Sequence, residues 1–553
     1  RDQPAGRPLE VGRVHPEVAG PVDAASVFGR WLGHRPSVDE RAGTATVGQM
    51  TDRERIDVDA GVDVDIDVDV VVIGAGISGI SAAHHLQTMC PDRSFTILEA
   101  RDDLGGTWDL FRYPGVRSDS DMHTLGFSFK PWVHDESIVD GPSILAYLRE
   151  TVAELGIGHH IRFGHRVRRA SWSSDDARWT LSIDHRGRPV ELTCRFVMVC
   201  AGYYSYRGGY APDFPGRDRF TGPVVHPQQW PDDLDHRGKR VVVIGSGATA
   251  MTLVPAMAGD AAHVTMLQRS PTWVIARPAR DAVANLLRRV LPDRWAYAIT
   301  RRKNVVLGQL FYRHTRSRPD RMRRLLSGWN RRALGDDVAR EHFTPDYGVW
   351  DQRLCLIPNG DLYRSINSGA ASVVTDTIDT FTEDGIALTS GGHLDADIIV
   401  TATGLQLVTL GEMEVEVDGA TIDFSEVFTY KGLAYEGVPN LTTTFGYLNA
   451  SWTLRADMVS AYACRLLNHL RATGTDACVP RRRPSELDMP RRPWVDDFSA
   501  GYVTRMLPHL PKQGDRDPWL VHLDYWRDRK LLERADVDDG VMQFVVARHP
   551  APV

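Results

Sequence analysis

Twice along this chain of 553 residues, a run of branched apolar residues ends in a glycine turn and restarts as a helix. The first instance is DVVVIGAGISGISAAHHL, Asp69–Leu86, and the second is RVVVIGSGATAMTLVPAM, Arg240–Met257. A continuous apolar run of this length suits a strand buried on both faces, and helices that follow such strands predict parallel sheets. Further runs of the same kind are FTILEA (Phe95–Ala100), RFVMVCAG (Arg195–Gly202), HVTMLQR (His263–Arg269) and ADIIVTATG (Ala396–Gly404). The fold class expected is α/β, with two dinucleotide-binding, Rossmann-like domains.

In the first loop Gly74, Gly76 and Gly79 follow the pattern GxGxxG. The first glycine permits the tight turn, the second lets a pyrophosphate reach the backbone, and the third lets helix and strand pack closely. The helix start then offers its amides and dipole to the phosphates. Glu99 closes the next strand twenty residues after Gly79, where a carboxylate accepts ribose hydroxyls. Ser78 completes this set, with Gly106, Thr107 and Trp108 of GGTWDLFRYPGVRSDSD (Gly105–Asp121) as further cofactor contacts. Two glycines, aromatics and a Pro114–Gly115 turn suit a planar ring system, without deciding which dinucleotide binds.

The second loop has Gly245 and Gly247, with Ala248 and Thr249 opening the helix and Ala250 in the third glycine's place. No acid ends the following strand. Gln268, Arg269 and Ser270 stand there instead. A carboxylate would repel a 2′-phosphate, whereas a guanidinium and a hydroxyl attract it, so NADPH is expected over NADH. Two unlike dinucleotide sites imply hydride transfer from a soluble donor to a tightly held flavin. The electrons could then pass to a disulfide or quinone, or to molecular oxygen.

Composition narrows the partners. A net charge of -7 argues against nucleic acid. No eighteen-residue apolar run and no signal-peptide order occur, and the six cysteines form no CxxC pair, so neither zinc nor any other metal is expected. Buried, reduced thiols in a cytoplasmic protein are the expectation. An arginine-rich stretch, Arg288–Arg332, leaves two readings: contact with an anionic membrane surface, or a solvated helical insert over the substrate pocket, which is favoured.

FTGPVVHPQQWPD, Phe220–Asp232, resembles the FxGxxxHxxxWP fingerprint of Baeyer–Villiger monooxygenases, with Phe220, Gly222, His226 and Trp230 at its marked positions. GGTWDLFRYPGVRSD is similar to the companion pattern GGxWxxxxYPGxxxD, and GYYSY, MLQRSPT, WDQRLC, PNGDL, TATGL and NASWTL extend the likeness to the ethionamide-oxidising branch. This class B flavoprotein resemblance implies FAD in the first loop and NADPH in the second. It implies that oxygen adds to reduced flavin at C4a, and that the resulting peroxide attacks a ketone, giving an ester or lactone, or a sulfur-containing substrate. It further implies that Arg353 of WDQRLC steadies the peroxide and that Asp119 is its ionic partner. Gly404 of TATGL and Asn449 of NASWTL are implied near the cofactors, while His226 and Trp230 belong to the linker between nucleotide domains. Arg207 in GYYSYRGGY departs from relatives, which tend to carry an acid. Flavin N- or S-oxygenases share the machinery and form the alternative; a disulfide reductase would need a cysteine pair beside the flavin.

The domain plan expected is a loosely attached extension over 1–67, dispensable before Met50; a discontinuous FAD domain over 68–205 and 380–480; an NADPH domain over 206–379 with a helical insert at 282–345; and a tail, 481–553, on the FAD side.

Overall fold

The computed structural model describes residues 66–496 and 498–547. The expectations for 1–65, including a start at Met50, lie outside the described residues. The first apolar run forms the strand Ile66–Ile73, with Val70, Val71 and Val72 fully buried. It pairs in parallel with Phe95–Leu98 on one side and Arg188–Val199 on the other. The sheet continues antiparallel through Arg178–His185 and His165–Ser173, and a late strand, Glu414–Val417, adds to its far side in parallel. Leu441–Thr443 also pairs with Arg188–Val199. The helix Thr453–Thr473 packs beside Ile77–Met89 in one apolar core, which contains Ile80, Leu86, Val459 and Leu466.

The second apolar run, Arg240–Ile244, is central to a sheet of five parallel strands. Its neighbours are His263–Gln268 and Ile398–Thr401, flanked by Ala371–Thr375 and Val224–Val225. The expected boundary at 379/380 put Ile398–Thr401 on the flavin side; its pairing corrects this. Fully buried Ile399 and Val400 complete this second sheet beside Val242 and Val243. The intervening antiparallel strands, Ile378–Phe381 and Gly385–Leu388, contribute Phe381 and Ile386 to that same core.

The arginine-rich stretch is helical. Asp281 caps Ala282–Val290 by accepting the amides of Val283 and Ala284 at 3.0 Å, as N-cap carboxylates do. Asp293–Ser317 follows, then Pro319–Leu334, which stops at Gly335 with φ +86°. These helices join two cores: Tyr297 and Val305 pack in the core of the first sheet, Leu334 in that of the second. Arg301 reaches the carbonyls of His123, Thr124 and Gly126. After residue 481 the chain places Trp519 against Phe428 and Tyr430, and Met542–Val545 pairs with Ala477–Pro480. Among the described residues, no helix is long and apolar enough to cross a membrane.

Candidate functional site

The first glycine turn borders a cleft of about 390 Å³. Gly74 has φ +104°, and a Cβ there would lie 2.7 Å from the Cys200 carbonyl oxygen. Gly79 is tighter: a Cβ would lie 1.9 Å from the Gly74 carbonyl oxygen. Gly76 and Gly106 face one another, so that a Cβ on Gly106 would be 3.2 Å from the Gly76 Cα. The helix beginning at Ile77 has neither a side-chain cap nor an acid in its first turn. Its leading amides are thus open to an anion, and the residues fit the pyrophosphate of a dinucleotide. Glu99 is buried and accepts the amides of Ala75 at 2.7 Å and Arg101 at 2.9 Å. Burial raises its pKa, with the two amides acting in opposition.

Ser78, Glu99, Gly106, Thr107 and Trp108 all border this cleft, as do Tyr203, Tyr204 and Trp452. The Trp452 indole donates to Ser78 Oγ at 2.7 Å and stacks on Tyr203, 5.0 Å between centroids and 11° between planes. Asn449, three residues before, donates to the Leu523 carbonyl at 2.9 Å, while its Oδ1 is buried without a partner in the protein. Asn449 itself does not line the cleft, although Trp452 of the same segment does.

The second turn has the same build. Gly245 has φ +136°, and a Cβ there would meet the Ala402 carbonyl oxygen at 2.3 Å. A Cβ on Gly247 would meet nothing within 4 Å, and the helix starting at Ala248 also lacks a side-chain cap and an acid in its first turn. Gln268 turns inward to the His342 carbonyl and Thr375, while Arg269 and Ser270 are exposed at the strand end. Tyr113 bonds Thr249, and burial lifts its phenol to about pKa 12. Between the domains, Gly115 (φ +73°) presses the YPG turn against Ala256 and Thr252 of the nicotinamide helix.

Arg353 and Asp119 meet at 2.5 Å, each with about a third of its side chain accessible, 29% and 32%. Burial opposes the Arg353 charge, but Asp119 and the phenols of Tyr502, Tyr203 and Tyr204 outweigh it, and its pKa is raised. The ion pair does not line this cleft; Tyr203 and Tyr204, which do, have hydroxyls 2.6 Å apart and lie near enough to act on the Arg353 charge. Tyr502 bonds Arg353 from the C-terminal segment. Sequence reasoning assigned no chemistry beyond residue 480 and missed it. A lone tyrosine in FSAGYVTRM has no spacing that marks it.

The fingerprint residues hold the linker. Phe220 is in the nicotinamide core, and Gly222 abuts the Asp397 carbonyl. His226 Nε2 donates to the Gly404 carbonyl at 3.1 Å, and its Nδ1 accepts the Gln228 amide at 3.2 Å, the neutral tautomer that burial favours by lowering its pKa. Trp230 packs on the nicotinamide core. None of these four borders the flavin cleft. The departure Arg207 pairs with Glu412 at 2.9 Å. All six cysteines are buried, and Cys200 alone among them lines the cleft, so no redox pair faces it.

Residues 67–431 match the model of a family described as flavin-binding monooxygenase-like. The chain belongs to that family. It is 52% identical over 484 residues to the FAD-containing monooxygenase EthA of Mycobacterium tuberculosis, covering 87% of this chain and 98% of the relative. The probable FAD-binding monooxygenase AlmA of Acinetobacter baylyi is 46% identical over 474 residues, covering 85% and 95%. Among solved structures, an oxidized steroid monooxygenase bound to NADP superposes with TM-score 0.71 at 26% identity, covering 87% of this chain and all of that one. This family member is thus an oxidoreductase that uses a flavin.

Proposed function

We propose that this monooxygenase holds FAD at Gly74–Gly79, takes NADPH at Gly245–Ala250, and inserts one oxygen atom into a small ketone or sulfur-containing substrate. The single observation that carries this reading is the Arg353–Asp119 pair, near the cleft-lining tyrosines Tyr203 and Tyr204, within a chain that has two uncapped helix starts. The bound flavin supplies oxygen activation. For a ketone the balance is substrate, O₂, NADPH and a proton to ester or lactone, NADP⁺ and water, with the new oxygen between the carbonyl carbon and its substituent.

The chain's own residues divide the work. The two helix starts hold the phosphates, and Glu99 accepts ribose hydroxyls with its remaining lone pairs. Trp452 and Tyr203 form an apolar wall that excludes water. Arg353 keeps a fixed positive charge for the developing oxyanion, and Asp119 and Tyr502 aim it. Gly404 and His226 join the linker to the nicotinamide sheet, so they position the domains and do no chemistry. The setting proposed is the cytoplasm, in accord with six unbridged thiols. The domain plan proposed gives the flavin unit 68–205 and 405–480, with the tail 481–553 against it, and leaves 206–404 to the nicotinamide unit.

The test is turnover on matched cyclic ketones, thioethers and tertiary amines, with NADPH oxidation and product followed together. Ester or sulfoxide in step with NADPH supports the proposal; amine oxide alone would overturn it in favour of an N-oxygenase. Arg269→Ala should raise KM for NADPH by roughly tenfold, the worth of one charge-assisted bond, and leave NADH unchanged. Equal losses with both donors would remove Arg269 from the 2′-phosphate site. Tyr502→Phe should lower product per NADPH consumed by about tenfold with flavin content and KM for NADPH intact, since one charge-assisted hydrogen bond, from the guanidinium to the phenol oxygen, aims the cation. Unchanged coupling would make Tyr502 a packing residue.

A further inference from the structure

Of the fifteen large apolar side chains that stand exposed among the described residues, nine lie between residues 282 and 334. Isolated exposed apolar residues are ordinary, whereas their concentration on one element marks a contact surface. The helices Ala282–Val290 and Asp293–Ser317 are consecutive and pack together. On the first, Leu286 is 60% and Val290 67% exposed; on the second, Trp295 is 59% and Leu310 56% exposed, with Ile299 one turn after Trp295. Trp295, Ile299, Arg302 and Leu310 fall at steps of four, three and eight, which is one side of a helix. Leu307, Leu310 and Phe311 also line an open groove on that helix.

The charge of the same stretch is equally uneven. Residues 282–334 hold fourteen Arg and Lys against two Asp, in a chain of net charge -7. Several of these cations are used internally: Arg288 pairs with Asp135, Lys303 with Asp281, Arg313 with Asp524 and Arg316 with Asp351. Arg289, Arg294, Arg302, Arg321 and Arg332 are exposed and have no ion pair among the described residues.

We propose that the outer face of these insert helices docks on an anionic lipid bilayer surface. An apolar ridge with a tryptophan, bordered by unpaired arginines, lies at the headgroup level with its apolar side chains inserted and its guanidinium groups on phosphates. A second copy of the chain is the poorer occupant, because it would bring two strongly cationic faces together. The interaction is peripheral.

The experiment is co-sedimentation of the full-length holoprotein with extruded vesicles of phosphatidylcholine alone or mixed with phosphatidylglycerol. Binding is expected only to the mixed vesicles and should fall about tenfold in molar salt, where surface charges are screened. Leu286→Glu combined with Trp295→Glu should lower the partition coefficient at least tenfold, as should Arg289→Gln with Arg294→Gln and Arg302→Gln. Circular dichroism, flavin content and NADPH oxidation should match the parent in both sets. No association with mixed vesicles, or equal association by parent and variants, overturns the proposal. So does a concentration-dependent dimer in sedimentation velocity that the glutamate pair abolishes while vesicles remain unbound, since the face would then be a self-contact. These readouts need no turnover of any ketone or thioether, so they stand or fall independently of the substrate assigned above.

Discussion

Arg353→Ala should lower product formation by about 10²- to 10³-fold while NADPH is still consumed and hydrogen peroxide accumulates. The guanidinium holds its charge at any working pH, and Asp119 at 2.5 Å fixes its direction. Removing it leaves both glycine turns untouched, so reduction of the flavin by NADPH should continue. Oxygen would then be reduced without being transferred. Arg353→Lys should recover only part of the loss, because an ammonium cannot meet Asp119 and Tyr502 with one planar fork. Asp119→Asn should fall between the two, since the cation survives but is no longer aimed. Product yield per NADPH, read beside a peroxide assay, is the measurement. A coupled, fully active Arg353→Ala protein would end the proposed role of this pair.

The second large effect concerns the flavin itself. Gly79→Ala should give a protein that purifies colourless and unfolds at lower temperature. The added Cβ would lie 1.9 Å from a carbonyl oxygen of the same turn, and backbone cannot swing aside as a flexible side chain does. Overpacking of this kind costs about 1–3 kcal/mol or more, and here the strain falls on the loop that meets the pyrophosphate. Gly247→Ala provides the contrast. Its Cβ would meet no protein atom within 4 Å, and its backbone is extended, so folding and flavin content should stay normal. The methyl group would instead crowd the space proposed for NADPH, raising KM by about tenfold or more, a loss of roughly 1.4 kcal/mol or greater in binding. Absorbance of the purified protein separates the first substitution from the second, and the rate against NADPH concentration measures the second. A yellow, thermally normal Gly79→Ala protein would show that the turn can relax.

The two glycine turns were legible in the sequence. Gly74, Gly76 and Gly79 lie within six residues, so their turn is a local matter of steric permission. Glu99 and the missing acid at Gln268–Ser270 are read from the end of the next strand, a distance that the fold repeats. The domain boundary was harder. Ile398–Thr401 has an apolar run like any buried strand, and nothing in that run states which of two parallel sheets it will enter. Tyr502 was illegible for a similar reason. Its neighbour Arg353 is remote in sequence, and only the return of the C-terminal segment brings them together. The nine exposed apolar residues of the insert could not be told from its buried ones in sequence, because which face of a helix is covered depends on what packs against it.

Sequence alone determined the two glycine turns that follow buried strands and the absence of an acid at the end of the second, because those features reside in neighbouring residues. Tertiary structure decided which sheet receives each late strand, how Tyr502 reaches the Arg353–Asp119 pair, and which faces of the insert helices remain uncovered. The reason is range: a turn is built from steric contacts among neighbours, whereas pairing and burial depend on partners that the chain meets only after it has folded.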